Sequence, residues 1–174
     1  MTVGLDMSWY EQGVALLEQG AYDQAEQCLK AAVQEQPGHA LAWNKLGVLH
    51  VHRGNLEQAA DCFQTAIGCD PNLAPAYSNL GNLYFEQGDF DSAEAAYRRA
   101  LEADPEYAAA HHNLGVLYKR QGRIDESIKH LKRAAKLNRS RPWQGRQPPR
   151  LKSVRAVLWV IIIGLVLFIL IYRR

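Results

Sequence analysis

Residues 74–105 read APAYSNLGNLYFEQGDFDSAEAAYRRALEADP. Their apolar spacing decides the fold. Tyr77, Leu80, Gly81 and Tyr84 recur at steps of three and one, then three, and so share one face of a helix. Ala93, Tyr97 and Ala100 do the same in a second segment that stops before Pro105. Gly88-Asp89 lies between them and supplies a tight turn. Two amphipathic helices joined in this way make an antiparallel hairpin. A single hairpin leaves part of its apolar face open to water and needs stacked neighbours to cover it.

The chain supplies the neighbours. Gly13, Gly47, Gly81 and Gly115 are 34 residues apart, and Gly20, Gly54, Gly88 and Gly122 follow each by seven. Ala32, Ala66, Ala100 and Ala134 keep the period, as do Pro37, Pro71 and Pro105, with Arg139 in the fourth proline's place. Trp9, Trp43, Tyr77 and His111 hold one slot of the first helix, and Leu16, His50, Tyr84 and Tyr118 another. Leu29, Phe63, Tyr97 and Leu131 hold one slot of the second. Small residues let a neighbouring helix approach, and the large side chain opposite fills the gap. The second glycine ends the first helix in a left-handed turn. The proline ends the second, because it lacks a donor and clashes with the preceding turn. Helices are expected near 7–19, 23–36, 40–53, 56–69, 74–87, 90–103, 108–121 and 124–137.

The W-x2-L-G-x2-Y, A-x3-F and P spacing over a 34-residue period resembles the tetratricopeptide repeat (TPR) family. The resemblance covers about residues 6–139, in copies 6–39, 40–73, 74–107 and 108–139. Gln12 departs from leucine in copy one, and Ser127 from alanine in copy four. The fold implied is all-α: a right-handed superhelix of four TPR hairpins, concave on the side of the first helices. One C-terminal transmembrane helix is expected to follow it.

Charge divides the chain. Net charge is +2. Residues 1–128 hold 8 Lys+Arg against 18 Asp+Glu, a balance of −10, and residues 129–174 hold 12 Lys+Arg and no acid, +12. Three cysteines, Cys28, Cys62 and Cys69, are too few for a disulfide framework and lack zinc-ligand spacing. They read as reduced thiols of a cytosolic compartment. Residues 1–5 form a short tail without the basic start and apolar core of a secretory signal.

After the repeats comes a basic linker, residues 140–153, broken by Pro142, Gly145, Pro148 and Pro149. It is either a solvated connector or a segment held against anionic lipid; nucleic acid is disfavoured by the acidic body beside it. Residues 156–172 read AVLWVIIIGLVLFILIY without a charge. At 1.5 Å per residue they span about 25 Å, and Val154 with snorkelling Arg155 and Arg173 extends the reach toward a bilayer core of about 30 Å. The run is apolar all round, unlike a core helix with one wet face. Residues 154–172 are therefore expected to anchor the chain in a membrane, with 173–174 a short tail. Arg141, Arg146, Arg150, Lys152 and Arg155 precede the run closely and only Arg173 and Arg174 follow. The positive-inside rule then leaves the repeats in the cytoplasm. The regular Gln- and Ala-rich copies favour a bacterial inner membrane, with the mitochondrial outer membrane as the alternative.

No catalytic constellation stands out, and no metal or other cofactor is expected. His50 and His52 diverge on a helix, as do His111 and His112. His111 occupies an aromatic packing slot. No phosphate loop or nucleophile elbow is present. An enzyme is not expected. The resemblance instead implies a peptide-binding groove on the first helices: Tyr10, Glu11, Asn44, Lys45, His52, Asn79, Asn82, Phe85, Glu86, His112, Asn113, Lys119 and Arg120, with Val48 and Ser78 beside them. Asn79 and Asn113 stand two before the motif glycine and Asn82 one after, resembling the ladder by which family members hold extended peptides through amide pairing. The family's carboxylate clamp maps to Tyr10, Val14, Lys45, Pro75 and Asn79, or to Asn44, Val48, Asn79, Ala109 and Asn113. Neither set carries enough cations to grip a chaperone C-terminus. The expected partners are a protein or peptide in the groove and a lipid bilayer at residues 154–172, with no nucleic acid. The function expected is a membrane-anchored scaffold. The alternative is a structural subunit that self-associates through the outer end of copy four.

Overall fold

The structure is a computed structural model that describes residues 7–140. It contains eight helices: α1 (Trp9–Glu18), α2 (Tyr22–Glu35), α3 (Ala40–His52), α4 (Leu56–Cys69), α5 (Ala74–Gln87), α6 (Phe90–Ala103), α7 (Ala108–Arg120) and α8 (Ile124–Ser140). No strand occurs among the described residues. The bounds match the sequence expectation at both ends of α4, α5 and α6 and lie within two residues of it elsewhere, except at the end of α8. That helix runs to Ser140 because Arg139, which can continue a helix, stands where the other copies have proline. Among the described residues no helix is long and apolar enough to cross a membrane. The expected span at 154–172 and the linker at 140–153, beyond Ser140, lie outside the described residues.

Local chemistry sets the ends. Ser8 caps α1 through a reciprocal box: its hydroxyl accepts from the Glu11 amide at 3.3 Å, and the Glu11 carboxylate accepts from the Ser8 amide at 2.9 Å. Asp89 caps α6 by accepting from the Ser92 amide. Gly20, Gly54, Gly88 and Gly122 all adopt φ between +77° and +81°, as the turn within each hairpin requires. Helices α2, α4 and α6 each stop two residues before a proline.

Packing repeats with the same period. A Cβ built on Gly47 would lie 2.5 Å from Phe63, and one on Gly81 would lie 2.7 Å from Tyr97. On Gly13 and Gly115 it would meet Leu29 and Leu131, each at 2.7 Å. Tyr97 and Phe63 are the largest fully buried side chains. Leu46, Leu80 and Leu114 are buried against the preceding copy. In copy one Gln12 takes the leucine's place and donates to the Met7 carbonyl at 2.7 Å. Ser127, the other departure, is buried and donates to the Gly115 carbonyl at 2.7 Å.

Ion pairs join successive copies, among them Arg133 of copy four with Glu106 of copy three. Arg53 bonds Asp23 and Glu26 of the copy before it, and Arg123 bonds Glu94 of the copy before it as well as Glu126. Lys30 holds the Glu26 carboxyl below its ordinary value, with Arg53 adding to the effect. The Arg123 guanidinium also lies 4.1 Å from the Tyr118 ring centroid. First helices of successive copies touch (α1 with α3, α3 with α5, α5 with α7), whereas second helices touch only their neighbours in sequence. The first helices therefore sit closer together and form the inner wall of the solenoid.

Candidate functional site

The inner wall carries two adjoining clefts. One, of about 330 Å³, lies between copies two and three and is lined by Val48, Val51, His52, Leu56, Phe63, Asn79, Asn82, Leu83 and Glu86. The next, of about 230 Å³, lies between copies three and four and is lined by Asn82, Phe85, Glu86, Tyr97, His112, Asn113 and Val116. Asn82 and Glu86 belong to both. They stand one helical turn apart on α5 and form the ridge between the clefts.

An amide network fixes this ridge. Asn113 Nδ2 donates to Asn82 Oδ1 at 2.8 Å and to Ser78 Oγ at 3.2 Å. The Tyr97 hydroxyl donates to the same Asn82 oxygen at 2.8 Å. Burial pushes the Tyr97 phenol up to about 12, with Glu86 adding to the effect, so it remains a donor at any ordinary pH. One copy earlier, Asn79 Nδ2 donates to Asn44 Oδ1 at 2.9 Å. The asparagines thus bond one another between copies.

This corrects part of the expected groove. Asn44 is only 5% exposed and Ser78 only 2%, so neither lines an open surface; both serve as internal acceptors. The cause is the close approach of the first helices, which puts positions just before the motif glycine against the next copy. Asn79 and Asn113 are half-buried; the Asn79 amide makes one donation within the network and the Asn113 amide two. Glu11 holds the α1 capping box, and Tyr10 packs at 4.7 Å on His39, with burial raising its phenol. Lys45 is half-buried, and Lys119 and Arg120 are exposed in the last turn of α7. None of these five lines the two clefts. Val48, His52, Asn79, Asn82, Glu86, Phe85, His112 and Asn113 do.

The clefts also contain residues that motif reading passed over. Val116 occupies the position of Val48 two periods on, which the repeat makes visible. Leu83 recurs as Leu49 and Leu117, and Leu56 shares its slot with Tyr22, Phe90 and Ile124, so the repeat makes these visible too; Val51 has Leu17 and Phe85 in its slot but Lys119 in the last copy. The exposed Val51 and Leu56 make the first cleft floor apolar under a polar rim of Asn79, Asn82 and Glu86.

The histidines are accounted for individually. His52 stacks on Tyr22 at 5.3 Å, away from His50. The buried Nδ1 of His50 has no hydrogen-bond partner, and burial holds that imidazole below its ordinary value. His111 is more than packing. Its Nε2 lies 3.2 Å from the Pro105 carbonyl and its Nδ1 3.1 Å from His130 Nδ1. Trp43, in the same slot, donates to the Pro37 carbonyl at 2.8 Å. Among the described residues no group of three His, Cys, Asp or Glu side chains could hold a metal ion. All three cysteines are free, and burial pushes the Cys62 thiol up to about 11, which suppresses its nucleophilic form.

The tetratricopeptide repeat profile matches residues 10–74 and 78–142. The chain belongs to the tetratricopeptide repeat family. Among solved structures, this TPR chain is similar to MamA, at 27% identity over 75% of this chain and 77% of that one, with a TM-score of 0.65. It shares its fold with TTC0263, a TPR protein of Thermus thermophilus, at 24% identity over 75% and 73% of the two chains and a TM-score of 0.68. It also shares it with PilF of Pseudomonas aeruginosa, at 22% identity over 75% and 60% and a TM-score of 0.69. No curated protein matches the chain.

Proposed function

We propose that this TPR chain is a non-catalytic, membrane-anchored adaptor that holds an extended segment of a partner protein in its inner groove at the cytoplasmic face of a membrane. The observation that carries the reading is the pair of adjoining clefts divided by Asn82 and Glu86. A peptide laid across this ridge places apolar side chains into the floor at Val51 and Leu56. Its backbone meets the second amide hydrogen of Asn79 and the carboxamide oxygen of Asn113, and a basic side chain meets the exposed Glu86 carboxylate. Membership of the tetratricopeptide repeat family supports an interaction scaffold. The anchor rests on the uncharged run 156–172 and its basic flanks in the sequence. Tethering confines the partner search to the membrane and raises effective concentration.

The reading is tested with the full chain in native membranes. Alkaline carbonate should leave the chain in the membrane fraction, and its release would remove the anchor. Glu86→Lys and Val51→Asp should each deplete the partners co-purified with the wild-type chain while leaving helicity unchanged. An unchanged partner set would remove groove recognition.

A further inference from the structure

Glu26 and Glu94 occupy equivalent places in α2 and α6, where each accepts an arginine from the following copy. The same place holds the small Ala60 in α4 and the large Ile128 in α8, and Ile128 is 45% exposed. Ile124, one turn earlier on the same side, is 52% exposed. Beside this apolar strip, at helical spacing, stand the exposed side chains of Lys129, Lys132, Lys136 and Arg139. None of the four is ion-paired among the described residues; Arg133, nearer the core, pairs with Glu106. No Asp or Glu follows Glu126 anywhere in the sequence.

An apolar strip flanked by unpaired cations on one helix is the pattern that lies at the boundary of headgroups and acyl chains. We infer that the outer face of α8 is a docking surface for anionic phospholipid. Charge favours that occupant: the cations are uncompensated and continue through Arg141, Arg146, Arg150, Lys152 and Arg155 in sequence. Chain length favours it too. Residues 141–155 separate α8 from the uncharged run and span at most about 50 Å when extended. The inference rests on the membrane-anchored reading for its high local lipid concentration and adds a second, electrostatic contact. Docked in this way, the last copy is covered by lipid, and the groove is held at a fixed attitude to the bilayer.

The test uses the full chain incorporated into vesicles of phosphatidylcholine alone and of an equal mixture with phosphatidylglycerol. Flotation reads membrane attachment. Amine labelling followed by mass spectrometry reads Lys129, Lys132 and Lys136 against Lys30 and Lys45 of the same chain. Each basic side chain near such a surface multiplies association about fivefold. The α8 lysines should therefore label about tenfold more slowly than Lys30 in the anionic vesicles alone, and high salt should abolish the difference. Lys132→Gln/Lys136→Gln/Arg139→Gln, a surface change, should restore labelling of Lys129. A chain that floats with both vesicles but labels α8 equally in both overturns the docking and leaves the anchor intact. Equal protection in both vesicles points to a second copy or an acidic protein on this face and also overturns it. A chain that floats only with anionic vesicles retains the docking surface and removes the anchor. A chain that floats with neither removes both.

Discussion

Replacing Gly81 with alanine tests the packing rule that builds the groove. The added Cβ would stand 2.7 Å from both Cδ1 and Cε1 of Tyr97. Ordinary carbon contacts begin near 3.4 Å, so one partner must move by several tenths of an ångström. Tyr97 has little freedom to do so: it is 2% exposed and its hydroxyl is bonded to Asn82. Overpacking of this kind costs about 1–3 kcal/mol. The better helix propensity of alanine returns about 1 kcal/mol at most. With that offset the net loss should be about 0–2 kcal/mol. The assay is chemical denaturation of the full chain in mild detergent, followed by circular dichroism. The same substitution in a Tyr97→Ala background should be neutral or stabilising, because the ring it strikes is gone. As a control, Gly88→Ala has open space around it but a φ of +81°. It should cost about 1–2 kcal/mol in either background. If Gly81→Ala stabilises the otherwise unchanged chain, or costs the same with and without Tyr97, the account of why the small residue is needed is wrong.

Three further outcomes follow from the same geometry. Asn79→Ala strands the buried oxygen of Asn44 and should cost about 1–3 kcal/mol, read by denaturation, whereas Asn82→Ala should also speed amide exchange around Tyr97. Ser127→Ala restores the residue of the other copies and exchanges one buried hydrogen bond for apolar fill, so its effect should stay within about 1 kcal/mol. Burial holds His111 and His130 below their ordinary value of 6.5, with Lys129 and Arg98 depressing His130 further, Arg133 depressing His111, and Glu126 opposing the shift on His130. Their neutral forms belong to the folded state, so stability is full above about pH 6.5 and declines as the pH falls below it. Protection factors of α7 and α8, exchange rates taken relative to the intrinsic rate at each pH, should fall between pH 7 and pH 5, and His130→Gln should remove most of that fall.

Helix number, order and pairing were legible in the sequence because four periodic glycines and their large partners each report a close helix approach. The residues that join one copy to the next were less legible. Arg53 and Arg123 deliver guanidiniums to equivalent carboxylates, yet Arg53 precedes its turn glycine and Arg123 follows one. A search at fixed period cannot align them. The asparagines were visible as a ladder, but their mutual bonds depend on how closely α3, α5 and α7 approach, a distance set by tertiary packing. That same approach withdrew Asn44 and Ser78 from the surface. The apolar cleft lining at Val51 and Leu56 lies outside the motif positions; the Leu56 slot is apolar in every copy, as Tyr22, Leu56, Phe90 and Ile124, but period alone does not tell a cleft-lining residue from a packing one.

The most direct measurement places a photo-crosslinking residue at Asn82, on the ridge between the clefts, and separately at Thr65, exposed on α4 outside both. Both variants are irradiated in native membranes. The account predicts a discrete protein adduct from position 82, lost when Glu86→Lys is added, and none from position 65. Adducts of equal yield from the two positions, or none from position 82 in a chain that remains membrane-bound, would contradict it.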